Sequence, residues 1–474
     1  LPIPTTIIKA TLLAQSHSKP YGAMIVAILA TALVLRVAAA FFWQQLADAE
    51  GRLFRFGDSE TYWILAEKLA DGQPYDYAGV DSRIFRAPLY PLFLVPAASW
   101  NGRAGVMTAR LSGAILGTVV VGILMRAAYQ LAGMVASLAT GILATVYPGA
   151  IGMSIFVLSE AIFCPLMMLS LLAWRAGESE RGWWPGRAML AGAIGGLACL
   201  ARPSWLLWPG LLAAGILCRE VGFRLRRVLG GEPRLPAWQG REPRPWSELC
   251  YFSLGMILAM SPWWCRNYLV TGRFVPTTLQ VGASLYDGLH EGATGSSDEG
   301  MAFSLPFEIA LRAEERQATR IEGSRAVNAS KKNEGDVFEW KLNRALFWAA
   351  IHWANENRSA ACRLALIKFR KMWSPWPTAE ELGGVGIRIA ESLVYVIILL
   401  LAVIGLWTSR GKRAGIAIYV YPTLYFAALH LVFVGSVRYR QPAVLALCVV
   451  AGIGSAWMLR QIRVTLRVFK TLQR

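Results

Sequence analysis

Apolar runs of about twenty residues dominate this chain, and their spacing decides most of what it can fold into. A helix rising roughly 1.5 Å per residue needs that length to cross the hydrocarbon layer of a bilayer. Such runs fall at about 22–43, 106–129, 132–150, 155–174, 188–202, 203–218, 249–264, 387–408, 414–434 and 440–459. Lipid offers no partner to a backbone amide, so each run must satisfy its own hydrogen bonds as a helix. The expected fold class is an all-α integral membrane protein with about ten transmembrane helices. The first run is too long for the apolar stretch of a signal peptide and reads as a span. Hydrophobic residues make up 55% of the 474, a share that soluble domains of this size seldom reach.

Charge placement orients the spans. The chain carries 48 Lys and Arg against 30 Asp and Glu, a formal +18. That balance alone would suit nucleic acid, but many of the basic residues flank apolar segments, which excludes that partner class. The basic segments are Arg175, Arg181 and Arg187 in loop 175–187, the arginine-rich stretch 219–248, SRGKR (409–413) and the tail after Met458. With ten spans they share one face with both termini, which is then cytoplasmic. The expected organisation is a cytoplasmic segment 1–21, a membrane catalytic core 22–264 with a first outer loop 44–105, an α-rich extracytoplasmic domain 265–386, C-terminal spans 387–459 and a basic tail 460–474. Asn328 and Asn357 each open an Asn-x-Ser triplet, a pattern that chance supplies readily. The seven cysteines show no metal-ligand spacing, and five lie inside apolar runs, where they serve as small hydrophobes.

The chemistry gathers in the outer loops. FRFGDSETYWILAEKLADGQPY (54–75) sets Asp58 at the head of a short helix. Tyr62, Leu65, Ala66 and Leu69 fall on one face of it, and Gly72 and Pro74 end it. A helix with such a face lies flat at the membrane interface. Asp58 fits two roles: a cap that the helix dipole welcomes, or a working carboxylate. Glu160 stands at the mouth of the fourth span, where a carboxylate marks either function or a buried structural pair. Arg83 and Arg86 precede APLYPLFLVP; Arg202, Arg266, Arg438 and Arg440 recur at other outer boundaries. Each arginine alone suits snorkelling toward the headgroups. Several facing two acids suggest a phosphate site, because guanidinium forks match phosphate oxygens. Trp263, Trp264, Trp373 and Trp376 suit an interfacial aromatic belt.

GDSETYWILAEKLADGQPY followed by RAPLYPLFL resembles the first outer loop of GT-C glycosyltransferases, nearest the protein O-mannosyltransferase and lipid A aminoarabinose transferase group. YPGAIGMSIFVLSEAIF, GLACLARPSWLLWPG, SPWWCRNYLVTGRFVPTTLQVGASLYDGL and SVRYRQPAVLAL follow in that group's order, over about residues 30–455. The resemblance implies a membrane enzyme that takes a sugar from a polyprenyl-phosphate donor on the extracytoplasmic side and passes it to a lipid, glycan or protein acceptor. It implies Asp58 as catalytic carboxylate and Glu160 as a possible second acid. Arg86, Arg83, Arg202, Arg266, Arg438 and Arg440 would bind the donor phosphate, with Tyr62 and Tyr439 positioning substrate. Some relatives carry paired acids where Ser59 follows Asp58 here, so a divalent metal stays open, with Asp58 and Glu160 as its only ligands; a lone carboxylate holds one poorly. The competing reading is a polytopic transporter or lipid-linked-sugar flippase, which also uses intramembrane charges.

Overall fold

The computed structural model describes residues 5–473, apart from 78, 80, 101, 177–184, 229–244, 299, 324–336, 378–383 and 410–412. The arginines at 181, 234, 241, 244 and 410, Lys412 and Asn328 therefore lie outside the described residues.

All the regular structure described is helical. The helical body begins with α1 (Thr5–Ala49); α2 (Gly57–Ala70) and α3 (Leu89–Ala98) follow in the segment before the next long helix. Then come α4 (Gly102–Ala132), α5 (Met134–Val146), α6 (Pro148–Ile155), α7 (Glu160–Ala176), α8 (Pro185–Ala201), α9 (Trp208–Val228) and α10 (Pro245–Thr271). A group of four, α11 (Val281–Gly288), α12 (Leu305–Gly323), α13 (Phe338–Glu356) and α14 (Arg358–Trp373), fills the stretch between α10 and the next long apolar helix. The chain ends with α15 (Val385–Thr408), α16 (Arg413–Val432) and α17 (Val437–Leu472).

Each apolar run read from the sequence contains a helix, although not every run is helical throughout. Five described helices are long and apolar enough to cross a membrane: α1 from Tyr21, α4, α15, α16 from Gly415, and α17. The run at 132–150 differs from expectation. It breaks at Tyr147 into α5 and α6, bent by 62°. Pro148 opens α6 and has no amide to continue the ladder of α5, which accounts for the break. The remaining runs coincide with α7, α8, α9 and α10, which are shorter or less apolar. The start of the run at 203–218 is a 3-10 turn, Pro203–Trp205, because Arg202 before a proline is pushed to extended backbone.

Helix crossings use glycine as contact surface. A Cβ on Gly192 of α8 would fall 1.8 Å from the Phe252 carbonyl oxygen of α10, and one on Gly255 would fall 1.9 Å from that of Met189. Gly405 of α15 and Gly454 of α17 meet in the same way, against Val450 and Leu401. Close backbone approach of this kind maximises packing where lipid supplies no hydrophobic drive. The main core lies among α4, α5, α7, α8, α10 and α15–α17, with the rings of Trp205 and Trp208 stacked 4.3 Å apart beside Phe426 and Tyr425.

The greasy face of α2 is spent on protein. Tyr62, Trp63 and Ala66 pack against Tyr90 and Leu94 of α3, Val106 and Ala109 of α4, and Ala161 of α7. This differs from a helix lying with that face in lipid, because α3 folds back and supplies the apolar partner first. The packing holds the start of α2 against the starts of α7 and α17.

Candidate active site

Asp58 does not cap its helix. The cap position is Phe56, which makes no side-chain cap bond, and Asp58 sits one residue inside α2. Its carboxylate is committed elsewhere. Oδ1 accepts from Arg86 Nη2 at 2.6 Å, and Oδ2 accepts from Arg438 Nη1 at 2.7 Å. The side chain keeps 26% of its surface accessible, so a substrate can still reach it. Burial pushes the Asp58 carboxyl up, but Arg86 and Arg438 together outweigh it and hold the group well below the usual carboxylate range.

Arg86, in the loop before α3, is held from three sides. Its Nε donates to Thr61 Oγ1 at 3.1 Å and its Nη1 to Gln280 Oε1 at 3.0 Å. The guanidinium lies 5.0 Å over the Tyr62 ring, a cation–π contact that fixes its plane. Glu339 sets the loop itself: both its oxygens accept from the Ile84 amide. Burial pushes the Glu339 carboxyl up to about 7.

Arg438 bridges both acids. Its Nε donates to Glu160 Oε1 at 2.7 Å and its Nη2 to Oε2 at 3.3 Å, while Nη1 serves Asp58. Arg202 adds a second cation to Glu160, at 2.6 Å. Tyr439 lies beneath both guanidinium groups, 5.3 Å from Arg202 and 5.8 Å from Arg438, and its ring stacks on His430 at 4.5 Å. Three arginines thus face two carboxylates and leave one positive charge in excess. Such a cluster accepts an anion and also holds a base in its reach.

The structure brings together Asp58, Glu160, Arg86, Arg202, Arg438, Tyr62 and Tyr439. It gives two expected phosphate ligands, Arg266 and Arg440, other partners. Arg266 donates to the Arg83 carbonyl at 2.8 Å and the Tyr75 carbonyl at 3.2 Å, over the Trp263 ring, so it clips the segment between α2 and α3 to α10. Arg83 takes part in this clip through its backbone carbonyl. Arg440 is fully buried on another side of α17, where it pairs with Glu391 at 3.3 Å, donates to the Ser374 carbonyl and covers the Tyr395 ring. Arg438 and Arg440, two apart on a helix, cannot face the same way. Trp263 and Trp264 donate to the carbonyls of Thr277 and Pro276 and so serve the loop after α10.

Sequence reasoning missed Thr61, Gln280, Glu339 and Glu391. Thr61 follows from helical spacing, three residues after Asp58. The other three come from distant segments and carry no local signal. Among the described residues, no group of three or more His, Cys, Asp or Glu converges as a metal site. A divalent ion shared by Asp58 and Glu160 would have to displace the Arg438 guanidinium that now bridges them.

No family model matches the chain, and no curated protein matches it. Among solved structures it is similar to ArnT from Cupriavidus metallidurans in the apo state, at 16% identity and a TM-score of 0.38, over 89% of this chain and 75% of that one. It is also similar to ArnT from the same organism bound to undecaprenyl phosphate, at 15% identity and a TM-score of 0.37, over 89% and 76% of the two chains. A likeness so distant carries no conclusion about activity, which rests on the geometry of the site.

Proposed function

We propose that the protein is a membrane glycosyltransferase of the GT-C type, which moves a sugar from a polyprenyl-phosphate donor to an acceptor hydroxyl on the extracytoplasmic face. One observation carries the reading: a solvent-reachable carboxylate, Asp58, shares its two oxygens between two arginines at the rim of an apolar helical body. A donor phosphate is the anion that such arginines meet at a membrane boundary.

The resting site is locked. With both oxygens bonded to guanidinium groups, Asp58 is too weak a base to draw a proton from an alcohol. An arriving phosphate competes for the same donors. When it takes Arg438 or Arg86, one Asp58 oxygen comes free and its proton affinity rises. The acceptor hydroxyl then bonds to that oxygen. As its oxygen attacks the anomeric carbon, its proton passes to Asp58, worth about 10²–10⁴-fold in rate. The bond from that carbon to the phosphate oxygen breaks, and the electron pair leaves on the phosphate. The arginines neutralise the added charge. A single displacement of this kind inverts the anomeric carbon. Glu160, buried to 1% exposure and bonded to Arg202 and Arg438, positions those arginines.

In this reading ten helices span the membrane, the termini and basic loops lie in the cytoplasm, and α2, α3 and α11–α14 lie outside. The test is the lipid fraction of cells in which the protein is inactivated. Mass spectrometry should reveal a polyprenyl-phosphate-linked sugar accumulating at least several-fold. An unchanged pool of every such lipid, in cells that make the protein, would overturn the proposal.

A further inference from the structure

Gln280 stands one residue ahead of α11 and is held from both sides. Before it, the Leu279 amide donates to the Ile84 carbonyl at 3.0 Å, which joins this stretch to the loop that carries Arg86. After it, the Gly282 amide donates to Asn343 Oδ1 of α13 at 2.7 Å. A Cβ on Gly282 would fall 2.0 Å from the Asn343 carbonyl oxygen, so the first turn of α11 is seated on the α13 backbone. Gln280 therefore has a fixed point of departure.

Its side chain reaches Arg86, where Oε1 accepts from Nη1 at 3.0 Å. A guanidinium carries only donors, so the oxygen of the amide must face it and the NH2 group must point away. Nη2 of the same guanidinium donates to Asp58 Oδ1 at 2.6 Å. The amide and the carboxylate thus occupy adjacent corners of one cation. Thr61 beside them is spent, accepting from Arg86 Nε and donating to the Asp58 carbonyl. Gln280 Nε2 bonds to nothing among the described residues, and it is not one of the sealed, unpaired nitrogens of the interior. The side chain is only half-buried, so its two N–H donors remain open to a ligand.

Charge selects that ligand. An NH2 group only donates, and the three arginines around it exceed the two acids by one charge, which favours an anion. A sugar hydroxyl also accepts, but a bond to an ionised oxygen is about twice as strong. Clamped through Oε1, the amide loses little freedom when it binds. Its neutrality matters as well. A further cation here would press the proton affinity of Asp58 lower still, whereas an amide holds an anion without that effect.

We propose, on the sugar-transfer reading above, that Gln280 is a ligand of the donor phosphate, with Nε2 donating to a non-bridging oxygen while Oε1 stays on Arg86. The head of the α11–α14 segment then takes a direct part in donor binding and does more than brace Arg86.

Undecaprenyl phosphate and uncharged undecaprenol, titrated onto the purified full-length protein in detergent and followed by microscale thermophoresis, test this. Wild type should prefer the phosphate; equal binding of the two overturns the sugar-transfer reading and the role of Gln280 with it. Gln280→Leu should lower affinity for undecaprenyl phosphate about tenfold, as for one hydrogen bond to a charged group, and leave undecaprenol binding unchanged. The same substitution should still cost several-fold in Arg86→Ala protein, where a residue that only braced Arg86 has nothing left to brace. Gln280→Glu keeps an acceptor for Arg86 but loses the donor, so its loss should match or exceed that of Gln280→Leu, and it serves if the leucine variant fails to fold. Wild-type affinity in Gln280→Glu, or a Gln280→Leu effect that vanishes in Arg86→Ala protein, would overturn the role of Gln280 and leave the sugar-transfer reading standing.

Discussion

Asp58, Arg438 and Glu160 form a chain of charges in which each member is legible only with the others. Glu160 is buried, and its two arginine partners account for its tolerance there. Glu160→Gln would leave Arg202 and Arg438 short of a counter-charge in a dry setting, a loss of about 3–5 kcal/mol for a buried pair broken on one side. Thermal unfolding in detergent should show a clear drop in Tm; a Tm equal to wild type would mean that water reaches the pair freely. Arg86→Ala separates binding from assembly. Donor affinity should fall by at least about tenfold, as for loss of one charge-assisted bond, with acceptor affinity changed less. Equal losses for both substrates would remove the phosphate role from Arg86. The sequence marked the acids and arginines, since charges beside apolar spans stand out. It did not separate Arg438 from Arg440, because facing is a matter of helix phase against neighbours not yet placed.

At the scale of elements, the runs of apolar residues were readable because membrane helices carry their signal within themselves. Their ends were less so. The helix α17 continues to Leu472 rather than ending near 459, and α10 reaches Thr271. The break at Tyr147 was hidden because α5 and α6 are both apolar, and only Pro148 marks it. The α8–α10 crossing depends on glycine surfaces, so Gly192→Leu should force the helices apart and sharply lower the yield of folded protein, seen as aggregation on size-exclusion chromatography. A monodisperse, fully active variant would contradict that packing. In the α11–α14 segment, Glu339 of α13 ties the loop that carries Arg86. Burial pushes its carboxyl up to about 7, above the value near 4.3 expected in an unfolded chain. Between those values the native protein holds a proton that the unfolded chain has released. Stability from this group therefore falls as pH rises from about 4.3 to about 7 and is level above. Melting curves across that range should slope downward in wild type and less so in Glu339→Gln; parallel slopes would sink the assignment.

The whole molecule sets a helical body against the smaller α11–α14 segment, and Gln280 at the head of that segment reaches the Asp58 cluster through Arg86. The proposed sidedness rests on the basic loops, and thiols can check it. Cys362 of α14 is exposed. A membrane-impermeant thiol reagent applied to intact cells should modify Cys362 and spare Thr471→Cys at the end of α17; the reverse pattern would invert the topology. The most direct test of the account is Asp58→Asn in a purified, lipid-supplied transfer assay. The account predicts a rate lower by at least about 100-fold, the lower range for loss of a general base, with the donor still bound. A variant that transfers sugar within a few-fold of wild type would show that the carboxylate held between Arg86 and Arg438 is a structural pair and no base.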